Sequence, residues 1–205
     1  MKKLKLTLIG LISMLTISTA NAQALEEGDI IIDAYYGFPN LYKTVFRAAY
    51  AGSGQEINLE VGGIGPLGVR GEYMIADQFG VGLDIGFSNT KISYEEKSYA
   101  NESNNYEYNF DTRKIGVMAT FNYHFVKNSD NFDAYVMAGA GYGNRTFNYT
   151  STEPGYEIAT FSSPFPIAAR IGVGMRYFFS ENFGASLAMG FGQGGLLNAG
   201  ISLKL

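Results

Sequence analysis

Residues 79–87 read Phe79-Gly80-Val81-Gly82-Leu83-Asp84-Ile85-Gly86-Phe87. Every odd position is large and apolar, and every even position is glycine or aspartate. Successive side chains on a strand point to opposite faces. The segment therefore has one broad apolar face and one face that is tiny or charged. A soluble sandwich packs its bulky side chains inward and turns polar ones to water. Bulky-apolar outside with small or ionised inside, repeated strand after strand, suits a barrel whose outer wall meets lipid.

The alternation returns along the chain. A first strand is predicted over 29–37, with Ile30, Ile32, Ala34 and Tyr36 outward and Ile31, Asp33 and Tyr35 inward. A second runs over 57–76 as one piece, carrying Arg70 and Glu72 inward, with Pro66 kinking or bulging it. The third is the stretch quoted above. The fourth, over 106–126, sets Ile115, Val117, Ala119, Phe121, Tyr123 and Phe125 against Lys114, Gly116, Met118, Thr120, Asn122 and His124. The fifth starts at Phe132 and turns Asp133, Tyr135, Met137 and Arg145 inward. The sixth, 167–179, turns Arg170, Arg176 and Phe178 inward; the seventh begins at Phe183, and the eighth covers 197–205 with Lys204 inward. Eight is even, as single-chain bacterial barrels require. The connections near Asp77, Asn128 and Glu181 are short, whereas the first, third and fifth are long or polar. The seventh, Gln193-Gly194-Gly195, is a short turn. The predicted fold is all-β: an eight-stranded antiparallel up-and-down transmembrane β-barrel, with short turns and both termini on the periplasmic side.

The start of the chain reads as a leader. Lys2, Lys3 and Lys5 make a basic region, Leu6 to Ile17 an apolar one, and Ala20-Asn21-Ala22 a cleavage site. This predicts a cleaved secretory signal over 1–22 and a barrel domain over 23–205. No other stretch nears the ~18–20 apolar residues of a spanning helix, so a membrane-embedded chain must close as a barrel. Cysteine is absent, which excludes disulfides, a lipoprotein anchor and thiolate metal sites. Without the leader lysines the chain carries 12 basic and 19 acidic residues, a net −7 that offers no basic patch for nucleic acid.

Outward aromatic residues crowd the short-turn ends: Tyr73, Phe79, Tyr123, Phe125, Phe132, Tyr177, Phe179 and Phe183. A sparser set, Tyr36, Phe87, Tyr142 and Phe191, marks the other ends. Two belts flanking an aliphatic band are predicted to be membrane-interface girdles.

This pattern resembles the small eight-stranded outer-membrane barrels of the OmpX and OmpA-transmembrane-domain type. Gly37-Phe38-Pro39-Asn40-Leu41-Tyr42-Lys43 and Gly63-Ile64-Gly65-Pro66-Leu67-Gly68 further resemble outer-membrane β-barrel proteins of Bacteroidetes-type bacteria. The resemblance spans 23–205. It implies a monomer in the cell outer membrane of a Gram-negative envelope, in contact with lipid and lipopolysaccharide and inserted by the barrel-assembly machinery. Many such barrels end in an aromatic residue; this chain ends in Leu205.

An eight-stranded barrel is just wide enough for side chains to fill. Its predicted lumen charges are Asp33, Arg70, Glu72, Asp84, Lys114, Asp133, Arg145, Arg170, Arg176 and Lys204. Buried charges must pair, so a plugging network is expected over a gated ion path. Tyr35, Tyr135 and Phe178 should fill the room left by inward glycines. The single histidine, His124, faces inward near a periplasmic turn. Chemistry on outer-leaflet lipid A would need catalytic groups at the opposite rim, so His124 is read as a network member. No catalytic, metal or cofactor site is predicted. Gly63-x-Gly65-x-x-Gly68 lacks the following helix of a dinucleotide site.

Two features face outward. Leu41, Val45 and Ala49 share a helical face in the connection 38–56, so a short helix or an ordered loop is expected there. The strand three–four hairpin outruns the bilayer and should protrude as a ribbon bearing Tyr94, Tyr99, Tyr106 and Tyr108, whose exposed edge can support the barrel's loops or pair with a surface partner. The functional expectation is a non-enzymatic barrel with a structural or surface-interaction role. The alternatives are a narrow porin-like channel for small solutes and an adhesin-like binder using the hairpin.

Overall fold

The computed structural model describes residues 23–40, 43–45, 47–48, 58–97 and 105–205. The predicted leader, 1–22, lies outside the described residues. Among the described residues there are ten strands: β1 (Ile30–Phe38), β2 (Glu60–Gly62), β3 (Leu67–Ala76), β4 (Phe79–Lys97), β5 (Asn105–His124), β6 (Phe132–Ser151), β7 (Ala159–Ser162), β8 (Ile167–Phe178), β9 (Phe183–Gly192) and β10 (Leu197–Lys204).

Eight of them form the barrel. Antiparallel pairing runs β1–β3–β4–β5–β6–β8–β9–β10, and β10 pairs back with β1. Closure leaves no free edge within the ring, which is what a lipid environment demands of a sheet. The sidedness follows the alternation. Along β1 exposure and burial alternate without a break, with Ile31, Asp33 and Tyr35 buried and Ile30, Ile32 and Tyr36 exposed. Large apolar side chains stand exposed around the ring, among them Leu83, Ile171, Met189 and Ile201. About half of the buried side chains are charged or polar, Asp33, Arg70, Glu72, Asp84 and Arg176 among them. A soluble fold inverted in this way would aggregate; in hydrocarbon it is the stable arrangement.

The structure corrects three expectations. The predicted second strand is two strands. Gly63-Ile64-Gly65-Pro66 breaks it, and Asn89 fastens the break by accepting from the Ile64 amide through Oδ1 at 2.6 Å and donating its own amide to the Ile64 carbonyl at 2.9 Å. Gly63 and Gly65 take positive φ there, which side chains with a Cβ resist. Beyond the break β2 rejoins β4 at Lys91–Ser93.

The second correction concerns the hairpin. β4 and β5 pair from Phe79–Tyr123 out to Lys97–Asn105, well past the ~9–11 residues that cross a bilayer. β6 continues with them to Ser151, β2 covers β4, and an unpredicted strand, β7, covers β6 at Thr146–Tyr149. The protrusion is therefore a broader sheet rather than a bare ribbon. Tyr94 and Tyr108 stack on it at 5.5 Å, and Tyr156 meets Tyr108 edge-on at 5.7 Å. Tyr99 lies outside the described residues. The third correction is Ala134, expected outward but buried at 6% exposure.

In the first long connection, residues 43–45 and 47–48 are helical. Asn40 caps this turn: its Oδ1 accepts from the Lys43 amide at 3.3 Å and its carbonyl from the Thr44 amide at 3.0 Å. Leu41 and Ala49, two of the three predicted facing residues, lie outside the described residues.

Candidate functional site: a lumen closed in three layers

The inward positions of seven strands converge on one polar network that runs from the middle of the barrel to its short-turn end. β1 supplies Asp33 and Tyr35, β3 Arg70 and Glu72, β4 Asp84, β5 His124, β6 Asp133 and Tyr135, β8 Arg176, and β10 Ser202. All are at most 5% exposed.

Arg176 is the hub. Its Nε donates to Asp33 Oδ1 at 3.2 Å, Nη2 to Asp33 Oδ2 at 2.8 Å and to Glu72 Oε2 at 2.6 Å, and Nη1 to Asp133 Oδ2 at 3.2 Å. One planar guanidinium thus binds three carboxylates from three strands, a use of its fixed fork of donors that an ammonium could not match. The Tyr135 ring lies 4.4 Å beneath its carbon, adding a cation–π contact.

His124 bridges the same carboxylates from the other side. Nδ1 lies 2.8 Å from Asp133 Oδ1, and Nε2 lies 2.8 Å from Glu72 Oε1. An ionised carboxylate only accepts, so both ring nitrogens donate and the ring is an imidazolium. Arg70 forms the second centre. Its Nε and Nη2 donate to Asp84 Oδ2 at 3.0 and 2.9 Å, and Nη1 reaches Tyr135 Oη at 3.3 Å and Asp33 at 3.8 Å. Tyr35 Oη donates to Asp84 Oδ1 at 2.8 Å, and Ser202 Oγ to Asp33 Oδ1 at 2.6 Å. With Arg170 included, four buried carboxylates face four buried cations.

The inward glycines make the room. A Cβ at Gly68 would lie 2.5 Å from Tyr35 Oη, and one at Gly174 would collide with the Tyr135 ring. Each tyrosine therefore lies across the lumen against a wall position with no side chain.

The second layer closes the long-loop end. The turn 193–195 folds into the barrel and is buried. Gln193 Nε2 donates to Asp84 Oδ1 at 2.7 Å. Arg170 Nη1 donates to the carbonyls of Gln193 and Gly195, the latter at 3.0 Å. Gly192, Gly194 and Gly195 have positive φ, which lets the chain turn inward over so few residues.

The third layer closes the short-turn end. Residues Gln23 to Leu25 cross the mouth. Gln23 donates through Nε2 to the Asp77 carbonyl at 2.5 Å and forms a bridge with Ser129, on the next short turn. Leu25 and Ala24 are buried with Ile31, Met74 and Phe178. Lys204 Nζ donates to the Ala24 carbonyl at 3.1 Å and lies over the Phe178 ring.

Of the ten charged residues named from the sequence, Asp33, Arg70, Glu72, Asp84, Asp133 and Arg176 meet directly, and Arg170 joins them through the 193–195 turn. Lys204 belongs to the short-turn layer. Lys114 and Arg145 sit half-buried at the long-loop mouth, outside the network. Sequence reasoning missed Gln193, Ser202 and the Gln23–Leu25 segment. Strand parity would have found Ser202, since it lies between outward Ile201 and Leu203. Nothing short of the closed barrel reveals the other two. The named girdle residues ring the short-turn end: Tyr73, Phe79, Tyr123, Phe125, Tyr177, Phe179 and Phe183 are exposed, and Phe132 is half-buried. Phe79 packs on Tyr123 at 5.3 Å and Phe179 on Phe183 at 5.1 Å.

Outside the barrel proper, Glu107 Oε1 accepts from Ser93 Oγ at 2.7 Å and from Asn109 Nδ2 at 3.1 Å. These two donors hold its carboxyl below the ordinary glutamate range. Among the described residues no cluster of metal-ligating side chains is present.

An apolar outer wall, aromatic rings at its rim and a charged interior define an integral membrane β-barrel. The chain belongs to the outer membrane protein β-barrel domain family, whose profile matches residues 9–191. Its place is the outer membrane. Among solved structures it is similar to the N-terminal β-barrel domain of Pseudomonas aeruginosa OprF, at 15% identity and a TM-score of 0.46 over 88% of this chain and 100% of that one. The outer membrane protein OprG of the same organism shares 14% identity with a TM-score of 0.47, over 90% and 99% of the two chains. Ail, the attachment invasion locus protein of Yersinia pestis, shares 12% with a TM-score of 0.40, over 87% and 95%. No curated protein sequence matches the chain.

Proposed function

We propose that the protein is a sealed, non-catalytic barrel that stabilises the outer membrane and carries a rigid sheet above its surface. The observation that supports this best is the Arg176 hub, which ties Asp33, Glu72 and Asp133 across the full width of the lumen. A solute would have to part these ion pairs in a low-dielectric interior, and then pass the 193–195 turn at one end and Leu25 at the other. On this reading the barrel works as a monomer, in contact with lipid and lipopolysaccharide, and reaches the membrane through a signal peptide and the barrel-assembly machinery. A surface-binding role is a second reading, supported by the overshoot of β4, β5 and β6 and the tyrosine cluster on it. The narrow channel is the reading that the sealed lumen opposes.

The test is conductance of the refolded barrel in planar bilayers, with the heat-shifted gel band as folding control. A folded, silent barrel is expected. Unitary steps in the unmodified protein that change when Arg70 or Asp84 is replaced would overturn the sealed reading in favour of a channel.

A further inference from the structure

The outward face of the protruding sheet changes chemistry at one height. β4, β5 and β6 run from the barrel into the sheet with no shift of register, so the parity that faces lipid below continues above. On β5 the exposed apolar series ends with Val117 and Ile115, and the next outward residues are Arg113, Asp111 and Asn109. β4 passes likewise from Ile85 and Phe87 to Asn89, Lys91 and Ser93. Above the Arg113 row, no outward side chain of these three strands is apolar among the described residues. The aromatic rings Tyr94, Tyr108, Phe110 and Phe147 stand on the opposite face.

Height decides what meets that boundary. Arg113 is ten residues from Tyr123 of the short-turn girdle. At ~3.4 Å per residue and a tilt of ~40°, that climbs about 26 Å, the height of the ~25 Å apolar band of a membrane barrel. Arg113 therefore stands where acyl chains end and outer-leaflet headgroups begin. Its side chain is exposed and makes no hydrogen bond or ion pair among the described residues. Asn89 and Thr146, its partners across the sheet, are neutral. In the row above, Lys91 is opposite Asp111, so those two charges offset each other. One positive charge is left over, on the lipid side of the sheet.

Two residues higher, a trough of about 620 Å³ opens in the same face, within the ~300–1,000 Å³ of small-ligand sites. Ser93, Asn109, Asn148 and Thr150 line it with hydroxyls and amides. Glu60, Glu107 and Asp111 add carboxylates, which repel an anion and accept from hydroxyls. That combination suits a sugar. A ligand whose acyl chains, phosphate and sugars follow in that order matches all three tiers, whereas a phospholipid supplies only the first two.

We propose that the outward face of β4, β5 and β6 docks one glycolipid of the outer leaflet, with acyl chains on Val117 and Ile115, a phosphate on Arg113 and sugars in the trough. The proposal rests on the reading above that the barrel sits among lipopolysaccharide, and it names the surface that holds one molecule of it. Arg113 makes the charge-assisted contact that the carboxylate-lined trough cannot.

The experiment is a titration of the folded barrel, in an uncharged maltoside detergent, with lipopolysaccharide of short core. It is read by NMR shifts of the Arg113 Nε–H and the Asn148 side-chain amide. Saturable shifts of both are expected. Arg113→Gln, or enzymatic removal of the lipid phosphates, should each weaken binding about tenfold, the scale of one charge-assisted contact. The two together should cost no more than either alone. Lipid A without core sugars should still move Arg113 but not Asn148. Lys127→Gln, at the short-turn end, should leave affinity unchanged. Unchanged affinity in Arg113→Gln, or an equal loss on dephosphorylation with and without Arg113, would overturn the site while leaving the barrel among lipopolysaccharide. No saturable shift of either probe, in a barrel still folded by gel shift, would overturn both.

Discussion

Arg176→Met tests the hub. The substitution removes five charge-assisted hydrogen bonds from one buried group and leaves a shorter, unbranched apolar side chain. What remains is unequal. Asp133 and Glu72 keep His124, one imidazolium between two carboxylates. Asp33 keeps Ser202 at 2.6 Å and a distant Arg70 at 3.8 Å, but that guanidinium is already committed to Asp84. The network therefore retains one uncompensated negative charge in the barrel interior. Breaking a buried pair by removing one partner costs about 3–5 kcal/mol, a large part of the ~5–15 kcal/mol that holds a domain folded. The same figure does not measure what the intact network contributes, because replacing both partners by apolar groups can be neutral.

That distinction supplies the control. Arg176→Met combined with Asp33→Asn removes the stranded charge and should recover about 1–3 kcal/mol, the size of coupling between groups in contact. Arg176→Lys should fall between, since one ammonium cannot reach three carboxylates with the same geometry. The assay is reversible urea unfolding of the barrel in lipid vesicles, followed by the heat-shifted band. Loss below about 1 kcal/mol for Arg176→Met would refute the argument that Arg176 neutralises this cluster; so would a double variant no more stable than the single one.

Other expectations follow from the two end layers and the outer sheet. Leu25→Ala should cost about 2–3 kcal/mol, because a buried leucine in an apolar cluster is truncated; an unchanged urea midpoint would mean that the 23–25 segment does not dock. Gly37→Ala should expel the 193–195 turn, since a Cβ there overlaps the Gly194 carbonyl oxygen. Its readout is new proteolytic cleavage near Gly194 in a folded barrel, and continued protection would count against the tucked turn. In the outer sheet, Glu107 has a depressed folded-state pKa, so its bond to Ser93 is fully present above the ordinary glutamate range and lost as pH falls through the lower value. Ser93→Ala should raise the pH at which the Glu107 carboxyl carbon titrates by NMR, and coincident curves would show that Ser93 does not donate to it.

The barrel was legible because its physics is local. The two-residue period assigns each side chain to lipid or lumen without knowledge of any partner strand, and a sequence such as Phe79 to Phe87 therefore carries its own sidedness. The misread element, 57–76, kept the right alternation, but its strand is broken by Gly63-Ile64-Gly65-Pro66. Proline and two glycines signal disruption without saying whether a strand bends or stops. What stops this one is Asn89, whose side chain is 25 residues from the amide it accepts. β7 escaped notice for a related reason: a short strand at a sheet edge takes its order from β6, not from its own pattern.

The network itself lies between these cases. Parity named which residues enter the lumen, but not their height or partners, because pairing depends on ring closure: Asp33 and Arg176 are 143 residues apart and on strands that are not neighbours. That is also why Lys114, Arg145 and Lys204 were grouped with the others. Parity gives all of them an inward side chain, and only register sets them at the mouths. The distinction has a physical consequence. Charges buried in the lumen are costly unless compensated, and here four carboxylates share the interior with four cations. Charges at a mouth reach solvent, so the lumen need not supply a carboxylate for each.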